Sequence, residues 1–576
     1  MSQNSKWLRL AALVVGSAIV FAACAGAASP SPSSPAATST PTEPPESEAP
    51  YDGMAYPEDG DAPCGEEGYT GNVKRITALN RLTVEFQLCN PDVAFLPKVA
   101  FSAYGIDDAD YLAAHAPDKS YLDEPNGTGP YRLAQWDKGN RLVLEAFDGY
   151  WGDAALSPSL EFRWSDEAAQ RWLELQSGEI DGMDNPGSDD IDDIRANSDV
   201  EFYPRDGLNV LYVGMNNTIE PWTDVNVRRA IALGIDRQRL VDNFYPEGSS
   251  VATHFTPCAI PFACEGEDTW DFDAAEARGL LEQAGFDFSQ NIPIQFRAAV
   301  RPYIPDPPVI ATEIANQLRV NLGINATPQL MESGAFLDAN NAGTLDGLFL
   351  LGWNADYPDP SNFLDYHFGS GSGEKHGAPI PDIVDALNRG SRTADEEERR
   401  AAYEEANNLI KEHIPAAIIA NGGSGTVFKA DVEGAHSSPL ANEAFQVMRA
   451  GDRDTLVWMQ NAEPLSLYCG DESDGETLRA CEQVKESLYA YEVAGTAPVP
   501  SLATECTSTD DLTVWTCTLR DGVKFHDGAD FDANDVVVSY AVQWDADHEL
   551  HVGRSGAFEY FPGLWGGFLN PPPPSS

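Results

Sequence analysis

The sequence predicts an α/β protein in which helical and extended segments alternate along most of the chain. Three observations lead there: helix ends marked by capping residues, period-two runs of apolar side chains, and enough apolar residues for a large core. Leu142, Leu144 and Ala146 alternate as a half-buried strand does. Asp273 with Glu276 starts a helix that Gly285 ends. Pro307-Pro308 opens another, with Ile310, Ile314, Leu318 and Leu322 on one stripe and Gly323 closing it. Thr393 with Glu396 reads as a capping box for a helix to about His413, stopped by Pro415. Thr513, Trp515, Cys517 and Leu519 alternate as a second strand.

The chain has 576 residues, of which 42 % are hydrophobic. That is room for about three or four domain-sized units with ordinary cores. Its 36 Lys+Arg against 91 Asp+Glu leave a formal net charge of −55. Nucleic-acid binding needs a basic footprint, so this charge excludes it, and anionic lipid heads would be repelled. A highly soluble, solvated surface is what the charge describes; fold does not follow from it.

At the N-terminus, Lys6 and Arg9 precede an apolar run from Leu10 to Ala23, too short to span a bilayer as a mature helix and typical of an export signal. Phe21-Ala22-Ala23-Cys24 resembles the lipobox of bacterial lipoproteins, although Phe21 stands where Leu or Val is more usual. The resemblance implies cleavage before Cys24, its lipidation and a membrane anchor; a simple secretory signal is the alternative. Residues 25–60, rich in Pro, Ser, Thr and Ala at their start, read as an extended tether. Nine cysteines less Cys24 leave eight, in four locally close couples: Cys64 with Cys89, Cys258 with Cys264, Cys469 with Cys481, and Cys506 with Cys517. In an exported protein such couples are expected to be disulfides, though sequence alone does not fix connectivity. Zinc is the rival, but no Cys-x-x-Cys occurs and no His stands at ligand spacing beside them.

Several stretches resemble the family 5 solute-binding proteins of peptide and nickel ABC importers. The strongest runs from Pro500-Ser-Leu-Ala-Thr-Glu-Cys through Leu519-Arg-Asp-Gly-Val-Lys-Phe-His-Asp-Gly528 to Asp535-Val-Val-Val-Ser539. Others are Gly127-Thr-Gly-Pro-Tyr131, Tyr150-Trp-Gly152, Leu175-Gln-Ser-Gly-Glu-Ile-Asp181, Asn226-Val-Arg-Arg-Ala-Ile-Ala-Leu-Gly-Ile-Asp-Arg237 and Gly352-Trp-Asn-Ala-Asp-Tyr-Pro-Asp-Pro360. The resemblance implies a periplasmic-binding-protein type II fold: two α/β lobes closing about a hinge, with an extra subdomain. The order of segments departs from the family. The block that normally lies near the N-terminus, with its preceding strand at Asp454-Thr-Leu-Val-Trp-Met, here follows the segment that normally ends the domain. The chain therefore reads as circularly permuted, with the join at Gly451-Asp452; a fragment spanning two tandem genes is the rival. The expected organisation is a signal peptide (1–24), tether (25–60), extra subdomain, second part (61–125), lobe I (126–250), lobe II (251–425), lobe I return and family N-terminal strand (426–490), extra subdomain, first part (491–570), and a disordered tail (571–576).

The resemblance also implies site residues. In peptide binders an acid in the Gly-Trp-x-x-Asp segment holds the ligand's α-amino group, which matches Asp356; an arginine in a segment like Arg301-Pro-Tyr-Ile-Pro captures the carboxylate. Charge-assisted bonds of this kind contribute roughly 1.5–3 kcal/mol each, and a guanidinium fork suits a planar carboxylate. Trp353, Tyr303 and Asn354 are further ligand candidates, as is Glu463, which stands where some relatives reach toward the ligand. Each has a structural alternative: Asp356 as a turn former beside Asp359, Arg301 paired with Asp306, Trp353 as core, and Arg228-Arg229 as a solvated face. Other ligands fit the scaffold. A nickel chelate would favour His367, and an oligosaccharide would favour stacking on Trp353, Tyr357 and Tyr303. A ligand sensor would use the same closure.

An exported hydrolase is the contrasting reading. No Gly-x-Ser-x-Gly, His-Glu-x-x-His or phosphate-cradling loop occurs, and His548, Glu549 and His551 have the wrong spacing for a zincin. Carboxylate pairs are expected by chance in so acidic a chain. The expectation is a monomeric, non-enzymatic, extracytoplasmic lipoprotein without cofactor, metal or nucleic-acid partner. It would capture peptides and deliver them to ABC permease transmembrane subunits.

Overall fold

The computed structural model describes residues 51–571 apart from positions 67, 206, 247 and 371. The expected signal peptide, Cys24, the first part of the tether and residues 572–576 lie outside the described residues. The last part of the expected tether is folded: Ala55–Tyr56 pairs with Val73–Asn80, and Tyr51 Oη donates to Asp532 Oδ1 at 3.0 Å. The ordered body thus takes in residues before the expected boundary at 61.

Three mixed or antiparallel sheets organise the chain. One of seven strands runs Tyr131–Asp137, Arg141–Ala146, Ser159–Trp164, Thr455–Gln460, Gly182–Asp184, Ser424–Lys429, Val200–Arg205. One of six runs Ser250–Val251, Ala416–Asn421, Asn209–Gly214, Leu348–Asn354, Asn291–Arg297, Asn325–Met331. The third, of five, runs Ala55–Tyr56, Val73–Asn80, Thr83–Leu88, Val514–Leu519, Ala503–Ser508. The inner strands of the first two sheets are covered on both faces, as their near-continuous apolar runs require. In Asn209–Gly214, Leu211 and Val213 enter one core while Val210 and Tyr212 enter the other. In the seven-stranded sheet Trp458 and Met459 divide in the same way.

The third sheet joins the two ends of the chain. Thr83–Leu88 pairs antiparallel with Val514–Leu519, placing Val84 opposite Cys517 and Phe86 opposite Trp515. Its apolar face packs with helix Ala533–Trp544 in one large aromatic core that includes Phe86, Phe95, Trp515 and Tyr540. Likewise Thr455–Gln460 is an inner strand of the seven-stranded sheet, parallel to both Ser159–Trp164 and Gly182–Asp184.

The chain passes between the seven- and six-stranded sheets at two adjacent places, from Arg205 to Asn209 and from Asn421 to Ser424. Asn209 ties them together: its Nδ2 donates to the Gly422 carbonyl at 2.7 Å, and its Oδ1 accepts from the Gly422 N–H at 2.8 Å. Gly422 has no room for a side chain, since a Cβ there would lie 1.8 Å from the Pro302 carbonyl oxygen. These crossings are the hinge between the two lobes, and the close approach sets the loop carrying Arg301 against them.

Local signals act largely as written. Asp273 caps Ala274–Ala284, with Gly285 at φ +69°, and Asp306 caps Pro307–Gln317. Leu318–Leu322 continues that second helix as a wider turn ended by Gly323 at φ +77°. Two expectations need correction. The helix Glu396–His413 is capped by Asp395, whose side chain accepts from the Glu397 and Glu398 N–H groups; the Thr393 hydroxyl instead donates to Glu398. Arg228 is not solvated: it is 5 % exposed and donates to the carbonyls of Trp222, His413 and Ile414, satisfying oxygens that the end of Glu396–His413 leaves open. Arg229 lies over the Trp270 ring at 4.6 Å. Disulfides join Cys64–Cys89, Cys258–Cys264, Cys469–Cys481 and Cys506–Cys517. Contrary to expectation a histidine does stand beside one couple: His254, four residues before Cys258, has a ring nitrogen within 4.8 Å of both sulfurs, but bonded sulfurs are not thiolate ligands for a metal.

Candidate functional site

A cleft of about 140 Å³ opens between the two lobes, beside the third sheet's subdomain. The lobe built on the six-stranded sheet contributes Arg301, Pro302 and Asn354–Asp356. The opposite wall carries Asp184, Arg205, Glu476 and Arg479, and the subdomain adds Phe101 and Tyr560.

Asp356 is placed by the end of a strand and the start of a helix. Leu348–Asn354 runs antiparallel to Asn209–Gly214 with Asn354 opposite Asn209, so it ends at the hinge. Asp359 then caps Pro360–Phe368, which carries Asn362. Asn362 is fully buried and clamps the turn: its Oδ1 accepts from the Asp356 N–H at 3.0 Å and from Trp353 Nε1 at 3.2 Å, and its Nδ2 donates to Asp356 Oδ2 at 2.9 Å. Tyr560 Oη donates to Asp356 Oδ1 at 2.9 Å from the subdomain. Both donors are neutral. Burial pushes the Asp356 carboxyl up to about 7, against the opposing pull of the Asn362 and Tyr560 hydrogen bonds. This is a half-buried acid on the cleft wall whose charge lacks a cation.

Arg301 sits in a turn closed by the Arg301 N–H on the Ile304 carbonyl and the Ile304 N–H on the Arg301 carbonyl. Its Nη2 reaches across the cleft to Asp474 Oδ1 at 3.8 Å. Burial disfavours the guanidinium charge, but Glu476, then Tyr303 and Asp474, outweigh it and raise its pKa. Burial and Glu476 push Asp474 up to about 7. Burial also opposes the Glu476 charge, yet Arg301, a hydrogen bond with Asp474 and Arg479 hold Glu476 low. The expected partner Asp306 is not the one used.

The floor is a square of buried charges. Arg205 Nη2 bonds Asp184 Oδ1 at 3.1 Å and Glu443 Oε1 at 2.6 Å, while Arg479 bonds Asp184 Oδ2 and Glu443 Oε2, both at 2.8 Å. Burial would raise Asp184, but Arg479 and Arg205 pull it below its usual range. Two arginines matched by two carboxylates, all hydrogen-bonded, hold two strand ends and helix Gly475–Cys481 in one geometry. Arg205 and Arg479 are matched by Asp184 and Glu443, and Arg301 faces Glu476 and Asp474, so among the cleft-lining acids Asp356 is the one left without a cation. Such a site offers Asp356 to a ligand cation and Arg301 to a ligand anion.

Against this geometry two solved structures of binding proteins and two curated relatives can be weighed. The sequence model of the "Bacterial extracellular solute-binding proteins, family 5 Middle" matches residues 26–375 and 497–557, well over half of the chain. The chain belongs to this family. Similar proteins include the "Dipeptide-binding protein" of Escherichia coli (strain K12), 26 % identical over 65 % of this chain and 71 % of its own length. The "Heme-binding protein A" of Haemophilus influenzae is 24 % identical over 65 % and 69 %. A crystal structure of a dipeptide-binding protein from Pseudoalteromonas sp. SM9913 with Met-Leu superposes with a TM-score of 0.60 at 24 % identity, covering 66 % of this chain and 76 % of that one. One of the Helicobacter pylori protein DppA with the peptide STSA gives 0.60 at 23 % identity, covering 66 % and 74 %. The fold is the periplasmic-binding-protein type II fold.

In this solute-binding protein the cleft brings together three of the expected ligand residues, Asp356, Arg301 and Asn354. Trp353 stands back from the lining, stacked on Tyr366 at 4.1 Å. Tyr303 is 4 % exposed and packs under Gly352 in the lobe core. Glu463 is engaged elsewhere: Trp136 Nε1 and the Gly139 N–H donate to it at 3.1 and 3.0 Å, fixing the Tyr131–Asp137 hairpin. Tyr357 is buried, and the aromatic rings at the cleft are those of Phe101 and Tyr560, edge-to-face at 4.7 Å. His367 is 3 % exposed with Nδ1 on the Phe363 carbonyl, and burial lowers its pKa; among the described residues no histidine lines the cleft. Asn362 and Tyr560 were not singled out from sequence. Asn362 follows the Pro-Asp-Pro turn and carries a readable signal as a first-turn amide, whereas nothing local points Tyr560 at Asp356.

Proposed function

We propose that this family 5 protein is the substrate-binding component of an ABC importer, capturing di- or oligopeptides between its lobes and handing them to the permease subunits. The observation that carries the reading is Asp356: a half-buried carboxyl with two neutral donors and no cation, in a cleft that also holds Arg301. A peptide's α-ammonium supplies the missing cation, and its carboxylate competes with Asp474 for Arg301. The peptides named for the dipeptide-binding relatives and for the structures with Met-Leu and STSA support this choice. The heme-binding relative shows that the family carries other ligands, so the charge pattern of this cleft, not the fold, argues for peptides.

Closure follows from the hinge. A ligand that touches both walls stabilises the closed arrangement by its difference in affinity for the two states. We further propose that lipid on Cys24 anchors the protein outside the cytoplasm, that it acts as a monomer without a catalytic role, and that the chain is a circular permutant of its family. The sheet joining Thr83–Leu88 to Val514–Leu519 supports the last reading, because segments far apart in the chain complete one subdomain.

The test is a thermal-shift screen of the purified protein against dipeptides, longer peptides, cello-oligosaccharides and nickel chelates, followed by calorimetry. Peptides with free termini are expected to stabilise it and N-acetylated ones to do so much less. Stabilisation by sugars or chelates alone would replace the peptide reading.

A further inference from the structure

A second cavity, of about 100 Å³, lies beyond the cleft. Leu440 and Asn442 line both and form the partition between them. Its mouth is at the exposed residues Glu492, Val493 and Ala494.

Two of the residues that line it each carry a buried polar atom with no hydrogen-bond partner. One is the hydroxyl of Ser102, a residue only 6 % exposed; the other is Glu482 Oε2. The neighbouring charges do not satisfy Glu482. Both oxygens of Glu443 are taken by Arg205 and Arg479, and those two arginines are already matched by Glu443 and Asp184. Lys485 is held by Asp107, and Glu486 accepts from Tyr150, Trp151 and Thr128. Glu482 is therefore the acid of this group left with an open oxygen. Burial, then repulsion from Glu443, pushes it up to about 7 against the attraction of Arg479. Among the described residues no set of three carboxylates here comes close enough to share a metal ion. The open oxygen suits an organic cation, which needs one acid and a few acceptors.

We propose that this second cavity binds an alkylammonium or guanidinium group, with Glu482 as its counter-ion and the Ser102 hydroxyl as a further acceptor. The group has two possible sources. One is a small free amine entering at the mouth. The other is the basic side chain of a peptide seated in the cleft, and that source rests on the proposed function above.

Ethylguanidinium and its uncharged counterpart ethylurea, titrated into the full chain by calorimetry and saturation-transfer NMR, separate these cases. Ethylguanidinium is expected to bind wild type and Asp356→Asn alike, at least about tenfold better than ethylurea. Glu482→Gln should remove that preference with the fold intact by circular dichroism, and Ser102→Ala should weaken it several-fold. No saturable binding, equal binding to Glu482→Gln, or loss in Asp356→Asn in its place overturns the assignment. If Glu482→Gln does not fold, Ser102→Ala decides alone, and its unchanged affinity overturns the proposal. Gly-Gly-Lys against Gly-Gly-norleucine then identifies the source. A lysine preference abolished by Glu482→Gln supports the site with a peptide side chain as occupant. A lysine preference that survives supports it with a free amine, provided ethylguanidinium has lost its binding. Absence of all peptide binding with ethylguanidinium binding retained sinks the peptide reading and leaves this one standing.

Discussion

The Tyr560 hydroxyl donates to Asp356 Oδ1 at 2.9 Å across 204 residues of chain. Together with Asn362 it gives the carboxylate two neutral donors and no cation, which is why burial dominates and the group titrates near neutrality. Asp356 is thereby poised: unstable as a bare anion, and strongly favoured as one when an ammonium arrives.

Replacing Asp356 with Asn should weaken binding of peptides with free N-termini by about 10- to 150-fold, the equivalent of a charge-assisted bond of roughly 1.5–3 kcal/mol. Because the raised carboxyl favours the native state only while protonated, its contribution is present at acid pH and is lost as pH rises through about 7. The variant's melting temperature should therefore equal or exceed that of wild type above neutrality. Calorimetry and thermal melts check both halves.

Binding should release a proton below pH 7. An ammonium ligand selects ionised Asp356, which in the empty protein titrates at about 7, so affinity rises with pH by up to about tenfold per unit and then flattens. Asp474, also pushed to about 7, faces Arg301 and acts in the opposite sense, since its ionised form competes with a ligand carboxylate. Calorimetry in buffers of different ionisation enthalpy should find the rising limb in wild type and not in Asp356→Asn.

Tyr560→Phe removes one donor to Asp356 and should move the midpoint of that limb upward. At pH 7 peptide affinity falls several-fold, and at pH 8.5 most of it returns. A loss equal at both pH values would mean that the hydroxyl acts on ligand contacts instead.

Arg479→Met leaves Asp184 and Glu443 each short of a bond in a buried site. Breaking such a network costs about 3–5 kcal/mol, so urea and thermal midpoints should both fall clearly. An unchanged midpoint would show that the charged square has little part in stability.

Gly422→Ala places a Cβ against the Pro302 carbonyl, which the hinge does not tolerate without movement. Peptide affinity should drop because Arg301 is carried on the displaced loop, and the midpoint should fall by more than a surface substitution allows. Gly279→Ala, where an added Cβ meets nothing closer than 4.0 Å, is the control.

Much of the secondary structure was legible because it is written locally. Asp273 and Gly285, or Asp306 and Gly323, each mark a helix end through a side chain or a left-handed φ a few residues away. Thr393 was misread because Asp395 offers a better acceptor two residues on. The four disulfides follow local pairing, which parity and spacing anticipated. Of the expected ligand residues Asp356, Arg301 and Asn354 line the cleft, whereas Trp353 and Tyr303, from the same two motifs, do not. What stayed hidden is what depends on the third dimension. Arg228 looked like a surface charge until a helix end 185 residues away brought carbonyls to it. Tyr303 looked like an aromatic wall, yet Gly352 leaves a space that draws it into the core. Tyr560 and Glu482 acquire meaning only from neighbours far along the chain.

The shared sheet of the subdomain has a consequence for biogenesis. Thr83–Leu88 leaves the ribosome more than four hundred residues before its partner Val514–Leu519. Until then its hydrogen-bonding edge is bare, an invitation to adhesion with other nascent strands. A product truncated before Val514 never covers that edge, so early and late segments of this polypeptide depend on one another for protection.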